Sequence, residues 1–253
     1  MKFGDFSGLA NAYSEARPKY APQILDLLIK TGSLNSQSKI VDVGAGTGIW
    51  TRMLAEKIGA DITAVEPNAD MFNSGLKDSE KLNIKWLNQS AEDYTYMDST
   101  ADLITMASSF HWVDYEIAIS NFKKTLKKGG IFCALWNTRA FELTPKLLEI
   151  ENYLKSKLTM DRVSSGRSKF TDELLLKLEN SFGEENVFYA EGHHTENMTL
   201  ARYLRIWESV NDVQVQLGEK KFKDFINFIK STLSENETIE AHYLTKSWIA
   251  IKR

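Results

Sequence analysis

The feature that most constrains this chain is the run from Ile40 to Ile58, where an apolar segment passes through three glycines directly into a helix. Ile40, Val41 and Val43 have the character of a strand buried on both faces, and Gly44, Gly46 and Gly48 follow at once. Ile49, Met53 and Trp50, Leu54, Ile58 then recur at helical spacing. The glycine turn therefore sits at a helix N-terminus whose free N–H groups face a crevice. Such a turn suits a ligand of nucleotide type.

The spacing restricts that ligand. A dinucleotide fingerprint needs a third small residue three positions after its second glycine, where helix and strand pack closely. That position is Ile49 here, which argues against a nicotinamide or flavin dinucleotide. A second apolar segment, Ile62-Thr63-Ala64-Val65, ends in Glu66, about 20 residues beyond the first glycine, where an acid at a strand end can hold ribose hydroxyls.

Four ordered motifs carry a family resemblance. They are Val41-Asp42-Val43-Gly44-Ala45-Gly46-Thr47-Gly48, Val65-Glu66-Pro67-Asn68, Asn88-Gln89-Ser90-Ala91-Glu92-Asp93 and Ala101-Asp102-Leu103-Ile104-Thr105-Met106. In this order they resemble the class I methyltransferases that use S-adenosylmethionine. The resemblance implies that Gly44, Ala45, Gly46, Thr47, Glu66, Pro67, Met71, Ser90, Ala91 and Glu92 hold the cofactor, with Glu92 and the Ala91 backbone meeting the adenine amino group. It implies S-adenosylhomocysteine as product and no metal.

Two further segments resemble the trans-aconitate methyltransferase-like subgroup. Tyr13, Arg17 and Tyr20 lie in a Tyr…Arg-Pro-x-Tyr entry that folds over the cofactor in such relatives. An Arg suits the cofactor's carboxylate, and an aromatic face suits its sulfonium. After the fourth strand, Ser108-Ser109-Phe110-His111-Trp112-Val113-Asp114 matches the subgroup's His-Trp loop, with Val113 replacing the more usual aromatic. Ser108 and Phe110 are thereby placed on the cofactor, Trp112 on the acceptor, and His111 as the candidate proton acceptor. Arg139, with Asn137, follows the fifth strand toward the same mouth, and Trp207 lies on a later helix; both Arg139 and Trp207 are substrate candidates.

The alternation of elements predicts an α/β fold, a Rossmann-like doubly wound seven-stranded sheet. Strands are expected at 39–43, 62–65, 84–87, 103–106, 131–136, 187–190 and 243–251. Helices are expected at 21–31, 49–58, 69–76, 115–126, 143–158, 171–182, 200–210 and 222–233, with Thr171 as an N-cap and Gly129-Gly130 ending the helix before the fifth strand. The family resemblance makes the last strand antiparallel and the helical blocks insertions over the strands' C-terminal ends. One domain, 1–253, then comprises a lid and first helix (1–35), a cofactor core (36–136) and a substrate cap (141–183 and 200–238). The 161–169 segment reads as a mobile loop.

Composition narrows the partners. The chain has 31 basic and 34 acidic residues, a net charge of −3, which gives no general pull toward nucleic acid or anionic membrane. No stretch approaches about 18 apolar residues, and the first residues lack a basic-then-apolar leader, so a cytoplasmic protein is expected, as monomer or homodimer. Cys133 is the single cysteine and reads as a buried apolar residue. His193-His194 makes a poor metal site, since neighbours on a strand point to opposite faces.

The reading is methyl transfer to a small-molecule acceptor, an oxygen nucleophile with carboxylate as the first option. No Asn-Pro-Pro-Tyr or Asp-Pro-Pro-Tyr clamp of base or glutamine methylation follows the fourth strand. The alternatives are an NAD(P)-dependent oxidoreductase on a related sheet, disfavoured by Ile49 and by the lack of a Tyr-x-x-x-Lys pair, and a non-catalytic cofactor-binding protein.

Overall fold

The computed structural model describes residues 8–160, 166 and 168–253. Seven strands form one sheet in the order β3-β2-β1-β4-β5-β7-β6. These are β1 (Lys39–Val43), β2 (Asp61–Val65), β3 (Ile84–Leu87), β4 (Ala101–Ala107), β5 (Leu126–Arg139), β6 (Val187–Met198) and β7 (Ile239–Ile251). The pairs from β3 to β5 are parallel, and β7 runs antiparallel to both β5 and β6. The doubly wound sheet with its one reversed strand is therefore as the motif order implied.

Alternate residues along the central strands explain the two layers. Ile40, Leu103, Ile131, Cys133, Leu135 and Ile249 pack with Ile24 and Leu28 of α2 (Pro22–Gly32) and Trp50 and Leu54 of α3 (Ile49–Ile58). Val41, Val43, Ile104, Phe132, Ala134, Trp136 and Trp248 pack instead with Ile119 and Phe122 of α5 (Tyr115–Thr125) and Leu174 and Leu178 of α7 (Lys169–Phe182). Strands buried on both faces must read as continuous apolar runs. Cys133 is wholly buried in the first layer.

A third apolar cluster lies off the sheet. Leu147, Ile150 and Leu154 of α6 (Pro145–Lys155) join Tyr203, Ile206 and Trp207 of α8 (Leu200–Glu208) and Val213, Leu217, Phe225 and Ile229 of α9 (Asn211–Thr232). These helices leave from the C-terminal ends of β5 and β6, which puts them over the crevice where an open α/β sheet takes its ligands. The expected cap segment 141–183 divides in the structure: α6 joins the cap, whereas α7 lies on the sheet because Leu174 and Leu178 face it.

Several element boundaries differ from the sequence reading. A short helix, α1 (Ala10–Ala16), precedes α2, and α4 (Ala69–Asp78) runs two residues beyond its expected end. Gly129 has φ +82 but lies in a bulged stretch of β5, and α5 ends at Thr125; the N–H of Gly129 donates to the Lys252 carbonyl at 2.6 Å. Thr171 is not an N-cap: it sits one turn inside α7 and its Oγ1 accepts the Ser168 N–H at 3.0 Å. The second cap helix begins at Asn211 and bends at Gly218, where φ is +66. Most of the 161–169 loop falls outside the described residues.

Candidate active site

The glycine turn is held by its neighbours in the sheet. Gly44 and Ala45 N–H donate to the Val65 carbonyl at 2.8 and 3.0 Å, which ties the turn to the end of β2. The three glycines serve three purposes. At Gly44 (φ +69) a Cβ would lie 2.6 Å from Cβ of Ser109, so the position admits the loop after β4. At Gly48 (φ +76) a Cβ would lie 2.8 Å from the Trp86 ring, so that glycine serves packing. At Gly46 (φ +60) a Cβ would meet nothing within 4 Å, because the position faces open cavity. Gly46 is therefore the one a ligand can approach closely.

Glu66 stands at the end of β2 with both carboxylate oxygens engaged. Oε2 accepts the Gly46 N–H and Oε1 the Asn68 N–H, each at 2.8 Å. Burial pushes its pKa up, and the two backbone donors oppose that rise. Each oxygen keeps a second lone pair for a ligand hydroxyl. Asn88 Nδ2 donates to the carbonyls of Glu66 and Pro67 at 2.9 and 3.0 Å, which fixes that corner.

Beneath the turn, wholly buried Asp42 accepts Thr51 Oγ1 at 2.6 Å and Thr105 Oγ1 at 2.8 Å. Desolvation raises its pKa to about 6, against the two hydroxyl hydrogen bonds. It clamps β1 to α3 and β4.

The N-terminal segment closes over this region by polar contacts. Arg17 Nε and Nη2 donate to Oγ and O of Ser209 at 2.8 and 3.1 Å, and its guanidinium lies 4.6 Å from the Tyr13 ring centre. Tyr20 OH is 3.1 Å from Ser108 Oγ, and its ring meets Trp50 edge-on. Ser108 has φ +58, a strained value for a residue with a side chain, at the point where β4 opens into the site.

A cavity of about 1200 Å³ runs from the glycine turn to the cap. A ligand pocket of ordinary size is about 300–1,000 Å³, so the space admits two small molecules side by side. One end is lined by Gly44, Ala45, Gly46, Thr47, Glu66, Pro67, Met71, Ser90, Ala91 and Glu92, and Tyr13, Arg17, Tyr20 and Ser108 also line it. Trp112, Arg139, Glu151, Ile206, Asp212 and Tyr243 line the remainder.

Three expected site residues do not line it. Phe110 is fully buried and packs on Phe122, Phe132 and Phe170, because the 3-10 turn after β4 directs it inward. Trp207 is fully buried in the cap core, and it acts on the cavity through Arg139, whose guanidinium lies 3.9 Å from its ring centre. His111 sits behind the wall, 4.5 Å from the Trp112 ring and 6.1 Å from that of Trp136, with both ring nitrogens buried and unpartnered. Burial lowers its pKa to about 4, and Asp212 opposes that shift.

Sequence reasoning missed Glu151, Asp212 and Tyr243. Glu151 had a signal: it falls within the Leu147, Ile150, Leu154 stripe of α6, where an acid on an apolar face is out of place. Among the described residues there is no group of three metal-binding side chains, and no helix long and apolar enough to cross a membrane. His193 and His194 do diverge on β6, His193 stacking on His242 and His194 on Tyr243.

With this geometry in place, known proteins show where the chain has likenesses. Residues 40–130 match the family model described as a methyltransferase domain. An uncharacterized methyltransferase of Mycobacterium tuberculosis is 33% identical over 134 residues, 53% of this chain and 52% of that protein. The chain thus spans about half the length of the curated relatives it matches. A provisional Type II methyltransferase from Anaeromyxobacter dehalogenans has the same fold at 16% identity, with a TM-score of 0.69 over 93% of this chain and 97% of that one. A phosphoethanolamine N-methyltransferase of Haemonchus contortus, solved with S-adenosylhomocysteine, aligns with a TM-score of 0.54 at 16% identity over 97% of this chain and 57% of that one. Residues 40–130 are thus similar to a methyltransferase domain, and the chain has the fold of solved methyltransferases.

Proposed function

We propose that this protein transfers a methyl group from S-adenosylmethionine to a small-molecule acceptor through an oxygen nucleophile. The observation that carries the reading is the single cavity: its glycine-turn end has the donors and acceptors for an adenosine, and it continues without a break under the cap. When bound, the cofactor supplies an electrophilic methyl on a sulfonium.

The residues present fit that group. Gly46 leaves open space beside a backbone in the left-handed region, and Glu66 offers free lone pairs toward the ribose position. Thr47 Oγ1 is buried without a partner at the same turn, a polar atom that a ligand would satisfy. Ala91 and Glu92 would border the adenine, and Arg17 and Tyr13 the amino-acid end.

Methyl transfer is an in-line displacement, so the protein's main task is alignment in a space closed to water. An anionic acceptor such as a carboxylate needs no base. A neutral hydroxyl needs one, and His111, held neutral beside the Trp112 ring though it does not line the cavity, is the candidate. Calorimetric titration with S-adenosylhomocysteine against NADH, followed by label transfer from methyl-labelled S-adenosylmethionine across an acceptor panel, tests the reading. Binding of NADH in place of S-adenosylhomocysteine would overturn it.

A further inference from the structure

The cap end of the cavity holds a carboxylate that the fold itself leaves unmatched. Glu151 of α6 is only 6% exposed, lines the cavity, and among the described residues has no hydrogen bond and no ion pair. A buried carboxyl without a partner is costly, and a ligand that brings it a donor or a positive charge would satisfy it. Among the described residues, the cations that line this cavity are engaged differently. Lys155, one turn later on the same helix, is exposed and directs its ammonium at the Phe141 ring, 4.7 Å from its centre. Arg139 lies on the face of Trp207, and Arg17 is bonded to Ser209.

The surroundings of Glu151 have a consistent character. Asp212, at the start of α9, is buried on the same cavity wall but has interactions of its own, so Glu151 alone carries the argument. Phe141 and Tyr243 supply aromatic surface, and Ile206 closes the wall with an aliphatic side chain. Carboxylates with aromatic faces favour a positively charged nitrogen, by ion pairing and by the quadrupole of the rings.

We infer that the acceptor carries a protonated amine, and that Glu151 is the residue that binds it, as a recognition group separate from the methylated oxygen. This rests on the methyl-transfer reading above. Glu151 thereby acts as a specificity-determining residue, and the acceptor is an amino compound with an apolar body, in place of a simple carboxylic acid.

The test uses three probes of one skeleton: 2-phenylethylammonium, 3-phenylpropionate and neutral 3-phenylpropanamide. Each is titrated into the S-adenosylhomocysteine-loaded protein, in the wild type and in Glu151→Gln, which keeps the size of the side chain and removes its charge. The ammonium probe should bind at least tenfold more tightly than either of the others to the wild type. In Glu151→Gln that preference should vanish, while affinity for S-adenosylhomocysteine and the unfolding midpoint stay within error or the midpoint rises. Equal binding of the three probes, preference for the carboxylate, no binding of any probe, or a preference that survives Glu151→Gln overturns the inference and leaves the cofactor reading intact. Failure of S-adenosylhomocysteine to bind the wild type overturns both.

Discussion

The Glu66 carboxylate accepts the Gly46 N–H at 2.8 Å, so the acid that ends β2 also shapes the turn that ends β1. Ligand binding and local structure are therefore coupled at this residue. Glu66→Gln keeps one oxygen acceptor and replaces the other with a donor that faces an N–H. It should weaken S-adenosylhomocysteine binding by about 1.5–3 kcal/mol, the range for hydrogen bonds to a charged group. Calorimetry measures it, and unchanged affinity would remove Glu66 from the ribose position.

Gly44 and Gly46 should separate stability from binding. Gly44→Ala places a Cβ 2.6 Å from Ser109 Cβ in a left-handed backbone and should destabilise the fold by about 1–3 kcal/mol. Gly46→Val extends into the cavity, with only the backbone strain as a cost of about 1–3 kcal/mol, and should abolish cofactor binding in a folded protein. Urea unfolding with calorimetry on both variants checks the contrast.

Asp42 gives a signed pH effect. Its pKa rises from the model-compound value of 3.8 to about 6 on folding, so the folded state binds the proton more tightly. Its contribution is fully present below pH 4 and falls as pH climbs through 6, by about 2–3 kcal/mol. Asn at this position can still bond to Thr51 and Thr105 by turning one hydroxyl. The stability difference between wild type and Asp42→Asn should therefore slope between pH 4 and 6 and level off above. A flat difference would contradict the burial of an ionisable group there.

His111 should leave no trace in the neutral range. With its pKa at about 4, it is already deprotonated at pH 5, and a rate profile between pH 5 and 8 should lack a limb near 6.5. A histidine-like limb that disappears in His111→Asn would show that the ring becomes exposed during turnover.

Arg17 joins the N-terminal segment to α8 by two donors on one acceptor residue. Lysine has no such fork, so Arg17→Lys should weaken S-adenosylhomocysteine binding by about 1–2 kcal/mol with little change in the unfolding midpoint. A loss of stability without loss of affinity would make the contact purely structural.

What could be read from the chain follows from how each element is stabilised. β1, β2, β4 and β5 lie inside the sheet, largely buried, and their apolar runs announce them. β6 lies at the sheet edge with exposed and covered residues in turn, and the strand expected at 187–190 runs on to Met198, paired with β7 throughout. α1 has no apolar stripe, and Ser14 to Asp78, Glu15 to Arg205 and the Ala16 carbonyl to Arg202 hold it through contacts remote in sequence. At the cavity, the glycine turn was legible because the left-handed backbone at Gly44, Gly46 and Gly48 favours glycine. Asp212 was not, because its role depends on how α9 crosses the cavity. Phe110 was misplaced because a turn's direction is not encoded in its residue type.

The position of β7 between β5 and β6 has a consequence for assembly. β6 has no other neighbour in the sheet, and β5 from Ile131 to Arg139 is paired by residues 243–251. β7 is the last of the seven strands in sequence, so the facing edge of β5 and both edges of β6 wait unpaired while the helices between β6 and β7 emerge. Pairings so distant in sequence form slowly. Shortening the chain within residues 239–251 would accordingly open the sheet at its interior, and expose the edges of β5 and β6 that β7 covers.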